Sequence, residues 1–257
     1  MFHFHGIKSE IRVHTQIFDL RLYRPLRKLR GDLITFFGIL PSHQSIENRL
    51  KISDLKTIKN QVSNYSGYYC YDEQYIKIDG EKRYRLTLFD SLLNIPLSEE
   101  IVEDMEYDTI YTFLRERLRD KPLFTITTDH KREYKKMMDD LKVRHQLCIF
   151  HLFKMIGKDE YITMERLELL LNKYDDIPLF LQGYIQKKIL PDLERITPLM
   201  RDLSISRTTN PVENYYRQTD PGQIKKRYKT SRGILSYLTG KMEYWAGKFG
   251  RTQHLTS

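Results

Sequence analysis

The sequence predicts an α/β protein with a mixed sheet flanked by helices, and three features carry that prediction. Residues 68–78 alternate as a strand does, Asp79-Gly80 is a strong hairpin signal, and 82–89 (KRYRLTLF) reads as the returning strand. Beyond the hairpin, helical and extended patterns take turns along the chain. The composition, 40% hydrophobic and 30% charged over 257 residues, is that of a folded chain with a sizeable core.

The first segment, residues 1–60, reads as basic and helical. Ile17, Leu20, Leu22, Leu26, Leu29, Ile34 and Leu40 recur at three- and four-residue steps, with Arg21, Arg24, Arg27, Lys28 and Arg30 between them. Pro41 interrupts, and Ser42 caps a second, polar helix carrying Gln44, Asn48 and Arg49. A helix, a short break and a polar helix form the pattern of a helix-turn-helix DNA reader, and equally of an ordinary two-helix packing unit.

A domain of residues 61–257 follows. After the hairpin, Ile95-Pro96-Leu97 begins a short third strand at a sheet edge. An amphipathic helix spans 107–119, with Ile110, Phe113, Leu114 and Leu118 on one face. A short buried strand over 123–127, a helix over 132–141 and a strand over 145–150 complete the α/β pattern. Residues 152–205 read as helical throughout, with Pro191 and Pro198 as breaks. A helix opens at Pro211, Asp220-Pro221-Gly222 turns, and a last amphipathic helix covers 233–249.

Several classes are excluded. No apolar run approaches the roughly 18 residues that span a bilayer, so no membrane association is expected. The opening Met1-Phe2-His3-Phe4-His5-Gly6 lacks the layout of a signal peptide. Two cysteines, Cys70 and Cys148, make no disulfide framework, which fits a reducing cytoplasm. The net charge of +9 divides into +6 over 1–60, −4 over 61–200 and +7 over 201–257. Two basic ends around an acidic centre suit a polyanionic partner, though solvated basic helices would give the same sums.

Three carboxylates stand out. Alternation puts Asp72 with Cys70, Gln74, Ile76 and Ile78 on the more apolar face of its strand, and Glu73 on the wetter one. A buried ionised carboxylate is costly unless compensated, by an arginine in the structural reading or by a divalent cation in the functional one. Asp129 follows Ile126-Thr127-Thr128 at the carboxyl end of a strand, where ligand-binding groups gather; the same place suits a helix cap. Asn210-Pro211-Val212-Glu213 reads as a capping box, with Glu213 reaching back to the Asn210 N–H. Cys148-Ile149-Phe150-His151 is half of a zinc pattern, and no second cysteine pair completes it. Of the 18 tyrosines, several clustered before Asp72 could stack on nucleic-acid bases, though strand packing explains most of them, and Trp245 fits the core.

Taken in order, four blocks resemble a DDE transposase of the Mutator-like and insertion-sequence type. Tyr71-Asp72-Glu73-Gln74-Tyr75-Ile76-Lys77 is similar to the family's first-aspartate strand, and Ile126-Thr127-Thr128-Asp129-His130 to its second-aspartate block. Cys148-Ile149-Phe150-His151 resembles its Cys-x-x-His element, and Thr209-Asn210-Pro211-Val212-Glu213-Asn214 its Thr-Asn-x-x-Glu helix. The resemblance covers roughly residues 65–250. It implies a ribonuclease H-like sheet with an all-helical insertion, about 152–205, before the last acidic residue. The intervals of 57 residues from Asp72 to Asp129 and 84 from Asp129 to Glu213 leave room for it.

On this resemblance Asp72, Asp129 and Glu213 form a catalytic triad holding Mg²⁺ or Mn²⁺, as two ions, with Cys148 and His151 in support. Hard divalent cations prefer carboxylate oxygens, and a two-ion site serves in-line displacement at phosphorus. The expected reaction frees a 3′-OH at the element end and joins it to target DNA, with no covalent protein intermediate. Lys225, Lys226, Arg227, Lys229 and Arg232 would bind DNA phosphates, Gln44, Asn48 and Arg49 base edges, and a homodimer or higher oligomer would hold two ends. A related metal-dependent nuclease or resolvase and an inactive DNA-binding remnant are the alternatives. About sixty residues precede the catalytic block where many relatives carry a larger end-recognition region, a departure that fits either a truncated chain or a shortened copy and leaves activity open.

Overall fold

The hairpin announced by Asp79-Gly80 organises the sheet. The computed structural model describes residues 57–60, 62, 64–78, 80–156, 179–219 and 231–251, together with 30, 31, 33–35, 38, 42, 172 and 175. The strands are β1 (Thr57–Lys59), β2 (Tyr68–Ile78), β3 (Glu81–Asp90), β4 (Ile95–Val102), β5 (Thr125–Thr128) and β6 (Arg144–Leu147). Gly80 takes φ +88, the left-handed conformation that glycine adopts without steric cost. The order across the sheet is β1-β4-β3-β2-β5-β6. Pairing is antiparallel from β1 to β2 across the first four strands and parallel at β2–β5 and β5–β6.

Helices lie on both faces. On one, α1 (Tyr107–Leu118) and α2 (Arg132–Asp140) bury Ile110, Phe113, Leu114, Tyr134, Met137 and Met138 against Tyr69, Tyr71, Leu86, Leu88 and Ile126. Between β6 and the next long helix come α3 (Ile149–Ile156), α4 (Leu179–Tyr184), a π turn (Ile185–Ile189), a 3₁₀ turn (Leu190–Asp192), α5 (Leu193–Ile196) and α6 (Pro198–Arg201). On the other face, α7 (Asn210–Thr219) packs Val212, Tyr215 and Tyr216 with Cys70, Phe89 and Trp245. There α8 (Ser231–Phe249) sets Ile234, Leu235, Leu238 and Met242 against Ile58, Ile76 and Ile78. The predicted α/β class and mixed sheet flanked by helices are those of the molecule.

Three elements differ from the sequence reading. The third strand is eight residues long and interior, because Thr57–Lys59, within the segment read as helical, pairs along its outer edge. Ile58 is buried under α8, and that burial outweighs any helical preference of three residues. The strand read over 145–150 stops at Leu147, and Ile149 already begins α3. A short apolar run fits a buried strand or a helix equally, and here Ile149 and Leu152 are both needed inside. The polar helix with Gln44, Asn48 and Arg49 and the basic run Lys225, Lys226, Arg227 and Lys229 lie outside the described residues, as does the Arg232 side chain.

Alternation also makes one feature that the sequence reading missed. Asp72, Thr87 and Glu99 stand side by side across β2, β3 and β4, and Gln74 and Arg85 form the next rung on the same face. Arg85 and Glu99 are both 0% exposed and paired bidentately, Nε to Oε2 at 2.7 Å and Nη2 to Oε1 at 2.8 Å. Arg85 Nη1 donates to Thr219 Oγ1 at 3.1 Å and Gln74 Oε1 at 3.2 Å, and the Tyr215 hydroxyl donates to Glu99. The guanidinium lies 5.0 Å and 4.9 Å from the ring centroids of Tyr215 and Tyr216.

Removing one partner strands the other's buried charge. Arg85→Met is therefore expected to cost about 3–5 kcal/mol in urea denaturation, while Arg85→Met with Glu99→Leu recovers most of that loss. A single variant as stable as the parent would contradict the pairing.

Candidate active site

Parallel register brings the first two carboxylates together. Cys70 of β2 stands opposite Thr127 of β5, so two residues further on Asp72 and Asp129 leave neighbouring strands at the same level and on the same side. Thr127 Oγ1 donates to the Ser206 carbonyl at 3.0 Å, which fixes that side as the one facing the segment before α7. This segment is stitched to the strand ends almost residue by residue. Ile149 N–H donates to the Arg207 carbonyl at 3.0 Å, the Cys70 thiol lies 3.7 Å from the Thr208 carbonyl, and Thr209 N–H donates to Cys148 Sγ at 3.4 Å. Glu213 follows in the first turn of α7. Three residues later the Tyr216 hydroxyl donates to the Asp72 carbonyl at 2.8 Å, locking α7 to β2.

The charges at this point are poorly compensated. Burial first, then the neighbouring Asp129 and Glu213 carboxylates, push the Asp72 pKa up to about 7, against smaller opposing pulls from Lys131 and His151. Burial likewise raises that of Asp129. The buried arginine that could neutralise Asp72 is Arg85, one rung away on the same face, and it is spent on Glu99. Among the described residues, arginine compensation, the structural reading of Asp72, does not occur.

The capping explanations change as well. Asp129 Oδ1 accepts the Lys131 N–H at 3.2 Å in a local turn, but α2 starts after Lys131 and has no side-chain cap. Thr209, not Asn210, precedes α7: its carbonyl accepts the Val212 and Glu213 N–H groups. The Asn210 N–H goes to Thr208 Oγ1 at 3.2 Å, so the capping box read for Glu213 is not formed. The helix begins one residue early because Thr209 is pinned by Cys148. Glu213 Oε1 lies 3.4 Å from Thr209 Oγ1 and 3.9 Å from His151 Nε2.

Cys148 and His151 sit beside this cluster. His151 Nδ1 is 3.2 Å from Cys148 Sγ, and that contact, chiefly, raises the imidazole's pKa; at the thiol, burial pulls the pKa up, but the hydrogen bonds from His151 and Thr209 together bring it down. Sequence reasoning missed Glu73: its side chain is 4% exposed, not on a wet face, and is held by the Lys131 ammonium and the Tyr134 hydroxyl. It also missed Tyr216 and Thr209, whose roles depend on contacts between segments far apart in the chain.

The donor set suits a hard divalent cation, since Asp72, Asp129 and Glu213 offer carboxylate oxygens whose mutual repulsion a cation would relieve. Among the described residues no three His, Cys, Asp or Glu side chains converge closely enough to enclose an ion in this arrangement. No described helix is long and apolar enough to cross a membrane.

No family model matches this chain. It is 38% identical over 259 residues to the insertion element ISM1 uncharacterized 48.3 kDa protein of Methanobrevibacter smithii, an alignment covering 88% of this chain. The chain spans 65% of that protein's length. Among solved structures, a simian T-cell lymphotropic virus intasome in complex with PP2A regulatory subunit B56 gamma matches over 62% of this chain and 58% of its own. At 10% identity and a TM-score of 0.29 that likeness is too distant to carry an argument.

The raised Asp72 pKa sets a pH test. The folded chain holds this proton up to about pH 7, whereas a free carboxyl loses it near 3.8, so stability falls as pH rises between those values. Asp72→Asn removes the penalty. Without divalent metal it should melt several degrees above the parent at pH 8 and level with it near pH 4. Equal melting at pH 8 would mean that Asp72 is not held in this environment.

Proposed function

We propose that the chain is a transposase of an insertion element, acting on DNA through a metal-dependent acid triad of Asp72, Asp129 and Glu213. One observation carries the reading: the buried arginine on the site face is committed to Glu99, which leaves Asp72 beside two other carboxylates with its charge unpaid. A structural carboxylate in that position would have taken the arginine. The insertion-element origin of the 38% identical relative supports the reading, as do the four sequence blocks and the charge of +9. The strand order, with Asp72 on the central β2 and Asp129 just past the end of the neighbouring parallel β5, agrees with a ribonuclease H-like domain.

In this reading the three carboxylates hold one or two Mg²⁺ or Mn²⁺ ions. Such ions supply Lewis acidity, activating the attacking oxygen and stabilising the leaving one in displacement at phosphorus. The chain's own work is positioning. Parallel register sets Asp72 level with Asp129, Tyr216 fixes α7 against the Asp72 carbonyl, and Thr209 with Cys148 holds the start of that helix, whose first turn carries Glu213 within electrostatic reach of Asp72. The His151 imidazole, next to Glu213, orients that carboxylate. DNA is the substrate, and a dimer or larger oligomer holds two ends; Gln44, Asn48, Arg49 and the basic run from Lys225 to Arg232 remain the proposed DNA contacts.

The test uses DNA carrying the sequences that flank the gene, with Mg²⁺ or Mn²⁺. Metal-dependent nicking that leaves 3′-OH ends, followed by joining to a target, is expected. Asp72→Asn, Asp129→Asn and Glu213→Gln should each slow it at least about a hundredfold, as the loss of several kcal/mol of transition-state stabilisation requires. The same metals should raise the melting temperature of the parent and not of Asp72→Asn. Undiminished cleavage by folded variants would refute the triad, and cutting of branched junctions without joining would point to a resolvase.

A further inference from the structure

The β2–β3 hairpin runs past the rest of the sheet. Among the described residues β5 pairs with β2 through Tyr68–Cys70 alone, so from Asp72 onward β2 has β3 on one side and an open edge on the other. The two faces of this extension differ. On the α8 side Ile76 and Ile78 are buried, and Arg83 is neutralised by Glu81 at 2.5 Å and Glu103 at 3.2 Å. On the opposite side cross-strand register collects Tyr75 with Tyr84 and Lys77 with Lys82.

That second face has an unusual make-up for a solvated surface. Tyr75 is 50% exposed and stands edge-on to Tyr84, with centroids 6.2 Å apart and planes at 65°. Lys82 Nζ lies 5.5 Å from the Tyr75 ring centroid and 5.0 Å from that of Tyr84. Lys77 and Lys82 are exposed, and no carboxylate shares these two rungs. Among the described residues the next acid along the face, Glu73, has a buried side chain held by Lys131 and Tyr134, and Glu100 of β4 pairs with Arg117. An open aromatic ring flanked by two lysines that, among the described residues, have no acidic neighbour on their face complements a strand with exposed base faces and phosphates.

We infer that this hairpin face binds single-stranded DNA, Tyr75 stacking on an unpaired base while Lys77 and Lys82 take the adjoining phosphates. A duplex hides its base faces and would leave the ring unused. Tyr75 is three residues from Asp72, about 10 Å along the strand, so a strand passing round the open edge of β2 reaches both places. The inference rests on the reading above only in taking DNA as the substrate.

The test measures fluorescence anisotropy of a labelled oligo-dT with the full chain in EDTA, so that binding is read apart from cleavage. Tyr75→Ala, a change at an exposed ring, should weaken binding about tenfold, and Tyr75→Phe should restore it. Lys77→Gln with Lys82→Gln should reduce the slope of log affinity against log salt by about 1.4, two phosphates at about 0.7 each. Parent-like affinity in Tyr75→Ala overturns the inference and leaves the acid triad untouched. An unchanged salt slope in the lysine pair overturns it equally. A blunt duplex bound as tightly as oligo-dT, with Tyr75→Ala silent on both, reduces the face to a plain phosphate contact and also overturns it. Cleavage that survives Asp72→Asn refutes the triad without altering any of these binding results.

Discussion

The Arg85–Glu99 pair is the constraint on which the arrangement of the acidic cluster depends. Two charges fully removed from water contribute little net stability, since their attraction roughly offsets desolvation. What they impose is geometry. Arg85 must also find Gln74 and Thr219, Glu99 must find Tyr215, and the guanidinium must lie against Tyr215 and Tyr216. One placement of α7 over the sheet meets all of these demands. Tyr216 then reaches the Asp72 carbonyl, and Glu213, one turn earlier, comes close enough to act on the Asp72 carboxylate. Apolar residues in place of the pair would bury similar surface but would tolerate a shifted helix.

The far end of α7 is held by a different chemistry. Ser206 to Thr209 run past β5, β2 and the junction of β6 with α3, and each residue gives or receives a bond there, with Thr127, Ile149, Cys70 and Cys148 in turn. Cys148 Sγ accepts the Thr209 N–H and carries His151 on its other side. A sulfur suits this place because its long, soft contacts reach both partners without a second buried oxygen to satisfy. The helix is thus fixed at its start by Cys148 and along its length by Arg85 and Glu99.

Much of this was legible in the sequence wherever one periodic pattern decides the outcome. The hairpin, the helices α1, α2, α7 and α8, and the apolar face of β2 follow from alternation and turn residues. Alternation also puts Arg85 and Thr87 with Asp72's face, yet it cannot say that Arg85 chooses Glu99, because that choice depends on β4 pairing in one register. The capping box at Asn210 was a sound local reading and failed because Cys148, some sixty residues away, pins Thr209. β1 is short enough that only the burial of Ile58 marks it. Local chemistry proposes; contacts between distant segments decide.

Asp72 and Glu73 make the point at the finest scale. They are adjacent carboxylates on one strand, both turned into the structure, and the pleat sends them to opposite sides of the sheet. Glu73 meets an ammonium and a phenol, so its charge is answered by the protein itself. Asp72 meets Asp129 and Glu213, with the nearest buried arginine already engaged. Their intrinsic acidity is nearly the same, so neither residue type nor burial separates a structural carboxylate from a candidate ligand. The separation lies in the partners: a carboxylate whose compensation is missing within the fold needs a proton or a cation from outside it.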